Sequence, residues 1–337
     1  MKIHITNLYG MAENSTALIA QNDVTKIMMP QGYRELGFYF YDIYSDSTRE
    51  LETRLDGIMA SVGYGDIVVY QSPSWNGREF DQLFIEKCKI LNVKLITFVH
   101  DVPPLMFADS NYYLLPEYID MYNQSDVLIL PSEKMKKKLL EEGLKVEKVI
   151  TQDMWDHPFN DFLYQPQFEK KLFFAGSIER FPHLQSWDYD LPLHIFSDSN
   201  YDTEQLYFEG WKSDSEMMLT LSRGGFGLVW GTQENPLDEP EYYQLNASHK
   251  LSSYLAAGIP VIVPAYLTMA DVVKNKGLGF VVSTMAEAVK VVENCSLEEY
   301  QQMVEKIKMT SFLIRQGFFT KSALTQAIMK LDDDILE

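Results

Sequence analysis

A lysine and several hydroxyl side chains near the start of an expected helix form the clearest chemistry in this sequence. They lie in Asn246-Ala247-Ser248-His249-Lys250-Leu251-Ser252-Ser253-Tyr254-Leu255-Ala256-Ala257-Gly258-Ile259-Pro260. Asn246 or Ser248 is suited to cap a helix. Gly258 is suited to end it, and Pro260 prevents its continuation. The apolar residues 261–263 then read as a buried strand. A helix start offers free N–H groups and partial positive charge, a natural seat for phosphate. Lys250, Ser252 and Ser253 fall in the first turns, where an ammonium and two hydroxyls add charge and donors. The same pattern also suits an ordinary capped helix on a strand with Lys250 merely solvated, and spacing alone leaves both readings open.

A second candidate is His100-Asp101, which follows an apolar run at 93–100. Residues at the C-terminal end of a parallel strand are well placed for chemistry. Asp101 or His100 could take a proton from an attacking hydroxyl, or Asp101 could brace a loop. The next segment holds Met106, Phe107, Tyr112 and Tyr113, an apolar wall for a sugar or peptide acceptor or a plug of buried loop. A transfer that retains configuration needs no protein base, because a phosphate oxygen of the donor can accept the proton.

Other patterns carry less. Asp188-Tyr189-Asp190 has the Asp-x-Asp form that holds a divalent cation in some transferases, but it precedes a strand candidate instead of following a nucleotide-binding strand. No metal site is expected there. Gly224-Gly225-Phe226-Gly227 is not a dinucleotide fingerprint and lacks a strand before it. Lys134, Lys136, Lys137 and Lys138 are flanked by Glu133, Glu141 and Glu142, which reads as a solvated helix face. The six histidines show no metal-ligand spacing.

Stepping outward, the elements that position these groups read as α/β. Strands are expected at 2–6, 37–43, 66–70, 93–100, 126–130 and 146–150, with helices at 15–29, 47–62, 77–91, 116–124 and 132–142. Strands rich in Val and Ile without strict alternation suit a parallel sheet covered on both faces, a doubly wound Rossmann-like domain. An aromatic, proline-bearing stretch at 153–169 breaks the rhythm and marks a domain boundary. A second alternation follows, with strands at 171–175, 193–196, 227–230, 261–263 and 279–282. Helices are expected at 213–222, 246–257, 269–275, 285–293, 297–308 and 321–331. The expected division is 1–160, 161–317 and a C-terminal helix 318–337 packing back on the first domain. The two domains are expected to face each other across a cleft.

The chain has 337 residues, 48 acidic and 29 basic, for a formal net charge of −19. Such a charge opposes general binding to nucleic acid or anionic lipid. Cys88 and Cys295 are the only cysteines and supply neither a disulfide framework nor a zinc cluster, so a reducing cytoplasm is the expected setting. No apolar run approaches the length of a membrane span, and the N-terminus reads as a strand, not a signal peptide.

The run Lys250…Ser253-Tyr254-Leu255-Ala256-Ala257-Gly258-Ile259-Pro260-Val261-Ile262 resembles the nucleotide-sugar motif of GT-B glycosyltransferases. The usual version has a glutamate where Ser253 stands. The resemblance extends over nearly the whole chain. The blocks Gly32-Tyr33-Arg34-Glu35-Leu36-Gly37, His100-Asp101-Val102-Pro103-Pro104-Leu105-Met106-Phe107, Met154-Trp155-Asp156-His157-Pro158 and Gly224-Gly225-Phe226-Gly227-Leu228-Val229-Trp230 are similar to the streptococcal glucosyltransferase 3 family. That resemblance implies a GT-B fold and a homotetramer. It also implies transfer of glucose from UDP-glucose to N-acetylglucosamine already O-linked to a serine-rich repeat adhesin.

By the same resemblance, Lys250 would neutralise the donor diphosphate, with Asn246, Ser248, His249, Leu251, Ser252 and Ser253 forming the loop and helix start around it. Arg180 would reach the phosphates, Trp211 would stack on uracil, and Asp214 would belong to the donor site unless it only caps a helix. Thr16, after the first strand, would touch the donor's distal side, or belong to a plain helix start. UDP-glucose is expected as donor without a metal or other cofactor. Two rivals are a UDP-sugar epimerase or synthetase-like enzyme on the same fold, and a non-catalytic GT-B chaperone subunit.

Overall fold

The computed structural model describes residues 1–197, 204–235 and 240–332. The chain divides into two units, one of residues 1–153 with the segment from Phe319 onward, the other Met154–Phe318. Residues 333–337 of the expected C-terminal segment lie outside the described residues.

The first unit is built on six parallel strands: β1 (Ile3–Tyr9), β2 (Arg34–Tyr39), β3 (Ile67–Ser72), β4 (Lys94–Val99), β5 (Val127–Leu130) and β6 (Val149–Thr151), in the order β2-β1-β3-β4-β5-β6. The helices are α1 (Thr16–Met28), α2 (Thr48–Ile58), α3 (Arg78–Ile90), α4 (Pro103–Met106), α5 (Ala108–Asn111), α6 (Leu115–Tyr122) and α7 (Glu133–Glu141). Every residue of β3 and β5 is buried, as central strands covered on both faces require. Behind β2 and β3, Phe38 meets Phe80 and Phe84 edge-on, with ring centroids 5.1 and 5.0 Å apart. Such pairs add about 0.5–1.5 kcal/mol beyond area burial.

The second unit repeats the plan with β7 (Gln167–Ala175), β8 (Leu193–Phe196), β9 (Leu206–Phe208), β10 (Gly224–Leu228), β11 (Val261–Pro264) and β12 (Gly279–Val282), all parallel, in the order β12-β11-β10-β7-β8-β9. Its helices are α8 (Asp214–Leu221), α9 (Glu241–Leu245), α10 (His249–Ala256), α11 (Ala270–Lys276), α12 (Met285–Asn294) and α13 (Leu297–Arg315). Helix α14 (Phe318–Leu331) ends the described chain. Phe174, Trp187, Phe226, Trp230 and Tyr300 belong to the core of this unit.

Each sheet has a point where the strand order reverses. It lies between β1 and β3 in the first unit and between β7 and β10 in the second. Ligands of doubly wound sheets bind beyond the strand ends at such points.

The strand expected at 227–230 runs instead from Gly224 to Leu228. Glycine is depleted in strands, so Gly224-Gly225 gives no strand signal in the sequence. Here a Cβ on Gly224 would stand 1.9 Å from the Gln167 carbonyl oxygen. The glycine permits close approach to β7. The strand expected at 37–43 likewise begins and ends earlier, at Arg34–Tyr39. Short β9 lies outside every expected element, because three residues carry no readable period.

Candidate functional site

Helix α10 is placed by Tyr254. Its ring packs on β10 where Gly227 has no side chain; a Cβ there would come within 2.2 Å of the ring. Its hydroxyl accepts a hydrogen bond of 2.8 Å from the backbone N–H of Ala175, the last residue of β7. One side chain therefore fixes the helix against both strands at the reversal point. The carbonyl end is closed by the Ala257 N–H on Ser253 O and by left-handed Gly258.

The other end is finished differently. Ser248 occupies the N-cap with extended backbone, yet its side chain makes no capping hydrogen bond. Asn246 ends α9, accepts from Ala247 N–H at 2.8 Å and donates to the Tyr242 hydroxyl at 3.0 Å. The Ser248 side chain does not close the first turn of α10. A helix start with backbone donors not taken up by a cap favours an anion.

Two cations converge beside it. Lys250 Nζ lies 4.7 Å from the ring centroid of Phe181 and 5.4 Å from that of Phe174. The Arg180 guanidinium lies 5.9 Å from the same Phe181 ring, and its Nη2 donates to the Tyr243 hydroxyl at 2.7 Å. Phe181 is buried, and a Cβ on Gly176 would meet its ring at 3.0 Å. The loop after β7 thus folds tightly under a shared aromatic face that holds a lysine from α10 and an arginine from its own turn. Arg180 is exposed, and a guanidinium there offers paired donors to phosphate oxygens.

Residues 154–157 clamp the start of α10 from the side. The Trp155 indole stacks on the His249 ring, 4.7 Å between centroids and 11° between planes. Its Nε1–H donates to Ala247 O at 3.1 Å. Burial, then the neighbouring His157 and Lys250, hold the His249 imidazole down at about pKa 3, so it is neutral near pH 7. His157 Nδ1 stands 3.2 Å from Ser253 Oγ, which also donates to His249 O at 3.1 Å. The opposite ring nitrogen, Nε2, lies 3.0 Å from Asp214 Oδ1.

Asp214 is the first residue of α8, whose cap is Ser213 in a capping box with Glu216. Its carboxylate is therefore not needed for capping and is held by His157. Trp211 lies in the loop into α8 with 57% of its surface exposed, so it is not a core indole. Leu251 and Ser252 are both buried. Leu251 offers a ligand only its backbone, while Ser252 Oγ has no hydrogen-bond partner among the described residues.

In the first unit, Thr16 is the exposed first residue of α1, capped by Ser15, whose Oγ accepts from Leu18 N–H. Asp101 follows β4 with intermediate exposure, while His100 is buried. The His100 N–H donates to Ser72 O at 2.8 Å, and its Nε2 lies 2.8 Å from Gln71 Oε1. Met106 is partly covered. Phe107, Tyr112 and Tyr113 are exposed, and the Tyr112 hydroxyl donates to Glu142 at 2.7 Å. Asp188 and Asp190 sit on the surface. Among the described residues no group of three His, Cys, Asp or Glu side chains is disposed to hold a metal, and no helix is long and apolar enough to cross a membrane.

The structure thus gathers Arg180, Asp214, Asn246, Ser248, His249, Lys250, Ser252 and Ser253 around one helix start. Sequence reasoning missed Trp155, His157 and Tyr243 there. One signal was available: two heteroaromatic residues two apart in a stretch without period project to the same side of an extended chain.

Comparisons with known proteins place the chain in a family. Residues 2–154 match the glucosyltransferase 3-like N-terminal domain, and residues 172–327 match the corresponding C-terminal domain. Glucosyltransferase 3 of Streptococcus gordonii is 63% identical over 334 residues, covering 98% of this chain and 99% of that protein. Glucosyltransferase 3 of Streptococcus parasanguinis is 40% identical over 331 residues, again 98% of this chain and 99% of the relative. Among solved structures, sucrose-phosphate synthase of Thermosynechococcus elongatus superposes with a TM-score of 0.70 at 10% identity, covering 98% and 99% of the two chains. An E. coli trehalose-6-phosphate structure bound with UDP-2-fluoro glucose gives 0.63 at 9% identity, covering 97% and 99%. At such identities the likeness establishes the fold, GT-B with two Rossmann-like domains. The chain belongs to the glucosyltransferase 3-like family and is a GT-B glycosyltransferase, a UDP-sugar-dependent hexosyltransferase.

Proposed function

We propose that this glycosyltransferase moves glucose from UDP-glucose to N-acetylglucosamine already O-linked to Ser or Thr of a serine-rich repeat adhesin, the second step of that protein's O-glycosylation. The observation that carries the donor half is the convergence of Lys250 and Arg180 on Phe181 beside the start of α10. The names of the relatives support glucose, and the block resemblance supports the adhesin acceptor.

The acceptor hydroxyl oxygen attacks the anomeric carbon, the bond from that carbon to the phosphate oxygen breaks, and UDP departs with the bonding pair. Lys250, Arg180 and the N–H groups of α10 stabilise the charge that grows on the diphosphate. They supply the positive charge a divalent cation would otherwise bring, so the reaction runs without added metal. Trp211 stacks on uracil, and Asp214, fixed by His157, accepts a hydroxyl of the donor. The acceptor's proton passes to Asp101 if configuration inverts, with His100 bracing the strand end, or to a donor phosphate oxygen if it is retained. Met106, Phe107, Tyr112 and Tyr113 offer the apolar surface for the acceptor. The enzyme works in the cytoplasm as a homotetramer.

The test is direct. Full-length protein, UDP-glucose and a GlcNAc-bearing serine-rich glycopeptide are incubated with EDTA, and the peptide is weighed by mass spectrometry. A gain of one hexose is expected; an unchanged mass would refute the proposal.

A further inference from the structure

Gln71 is fully buried near the end of β3, beside the buried Thr6 of β1. All its polar groups are engaged. Its backbone N–H donates to Thr6 Oγ1 at 2.8 Å. Its side-chain nitrogen faces three acceptors: the Thr6 carbonyl, the Gln21 carbonyl at 3.1 Å and Thr25 Oγ1 at 3.0 Å. Gln21 in turn donates to Pro73 O at 2.8 Å. Turning the amide over would set its oxygen against two carbonyl oxygens, so the orientation is dictated by the surroundings.

The Gln71 oxygen therefore points at His100 Nε2, 2.8 Å away, and can only accept. The neutral His100 ring must carry its proton on Nε2 and its lone pair on Nδ1. A second tie, from His100 N–H to Ser72 O, fixes the backbone of the same residue. Asp101 is the next residue, so its backbone leaves a point held both by ring and by main chain.

We propose that Gln71 is a positioning residue: acting through His100, it sets the ring tautomer and holds the end of β4 from which Asp101 projects. The polar network from β1, α1 and β3 serves the acceptor side of the reaction. The Gln71 amide is hydrogen-bonded at both its nitrogen and its oxygen in the buried interior, and a buried amide held at both ends keeps one orientation. This inference rests on the proposed role of Asp101.

The first measurement uses wild-type protein. Long-range proton–nitrogen correlation of 15N-histidine protein, with the His100 signals assigned by His100→Gln, should show the Nε2–H tautomer. The Nδ1–H tautomer would overturn the proposal without any variant having to fold. The second uses Gln71→Met, which keeps the shape and removes the acceptor. The tautomer signature should be lost, and kcat should fall about tenfold with the KM for UDP-glucose within twofold. Leu139→Ala, on the buried face of α7, is the control for lost stability and should leave kcat unchanged. A folded Gln71→Met enzyme with wild-type kcat would overturn the proposal. Asp101→Asn separates the two ideas: wild-type kcat there sinks the base role, while the His100 tautomer still decides the Gln71 arrangement.

Discussion

The start of α10 lies beside the reversal of strand order in its sheet and the end of β4 one strand beyond the reversal in its own, and the two are finished in opposite ways. At α10 the polar groups face outward. Ser248 makes no side-chain cap, Lys250 is only partly covered and Arg180 is exposed. In the same unit α8, α12 and α13 close their first turns with Ser213, Thr284 and Ser296, while α9 and α11, like α10, have no side-chain cap. At β4 the polar groups are buried and joined, with His100 3% exposed on a Gln71 that is fully covered. The difference matches two tasks. A diphosphate brings its own charge and acceptors, so its seat must leave donors open. A proton transfer needs one geometry, which a buried amide held at both ends helps to set.

The largest expected effect comes from emptying the open region. Lys250→Ala should lower kcat/KM for hexose transfer by about 100-fold or more, the scale of losing one charged group that stabilises a developing anion. Its circular dichroism should match wild type. A rate within threefold of wild type would remove Lys250 from the chemistry and erase the contrast.

Next is the packing that places α10. Gly227→Ala puts a Cβ into the Tyr254 ring. Overpacking of this kind costs about 1–3 kcal/mol. Thermal melts should show a Tm lower by several degrees and UDP affinity should fall with it. An unchanged Tm would mean that Tyr254 does not set the helix.

Closing the open helix start is a smaller and more revealing change. Ser248→Asp supplies a side-chain cap and a negative charge. Capping contributes about 1 kcal/mol, so Tm should rise by about 2 °C, while UDP should bind about tenfold more weakly. Opposite movement of stability and affinity is the signature; movement together would refute the idea that the turn is left open for an anion.

The smallest effect concerns a buried group in the first unit. Burial pushes Asp81 up to about 7, against the pull of hydrogen bonds from Ser74 and Tyr70. The folded chain holds that proton until about pH 7, whereas the unfolded chain releases it near 3.9. The contribution to stability is therefore complete below about pH 4 and is lost as pH climbs through about 7. Asp81→Asn cannot ionise, so its Tm should fall less between pH 6 and pH 8.5 than that of wild type. Parallel Tm profiles would show that Asp81 does not titrate there.

The two regions also differ in how far they can be read from sequence. Lys250, Ser252, Gly258 and Pro260 lie within one helix and its exit, where capping and breaking act locally, so the start of α10 is visible in the chain. Arg180 becomes visible only through resemblance, because nothing local tells an exposed arginine from a surface salt bridge. Trp155 and His157 stay hidden because Ala247 and Ser253 lie more than ninety residues away. Gln71 is harder still. Within 67–72 it looks like one polar residue in a strand, and its partners come from β1, α1 and the residue after β4. Gly224 and Gly225 fall outside the strand expected at 227–230, since glycine carries no strand signal of its own. The alternation of strands and helices is legible throughout, because Val- and Ile-rich buried strands and amphipathic helices repeat on the scale of a few residues.

The central claim is that the open start of α10 is the donor's diphosphate seat. Titration calorimetry of UDP into the full-length protein in EDTA, beside the same titration of Lys250→Ala, tests it most directly. The account predicts saturable binding to wild type and a loss of at least tenfold in affinity on removing Lys250. Equal affinity in the two proteins, or no binding to wild type, would contradict it.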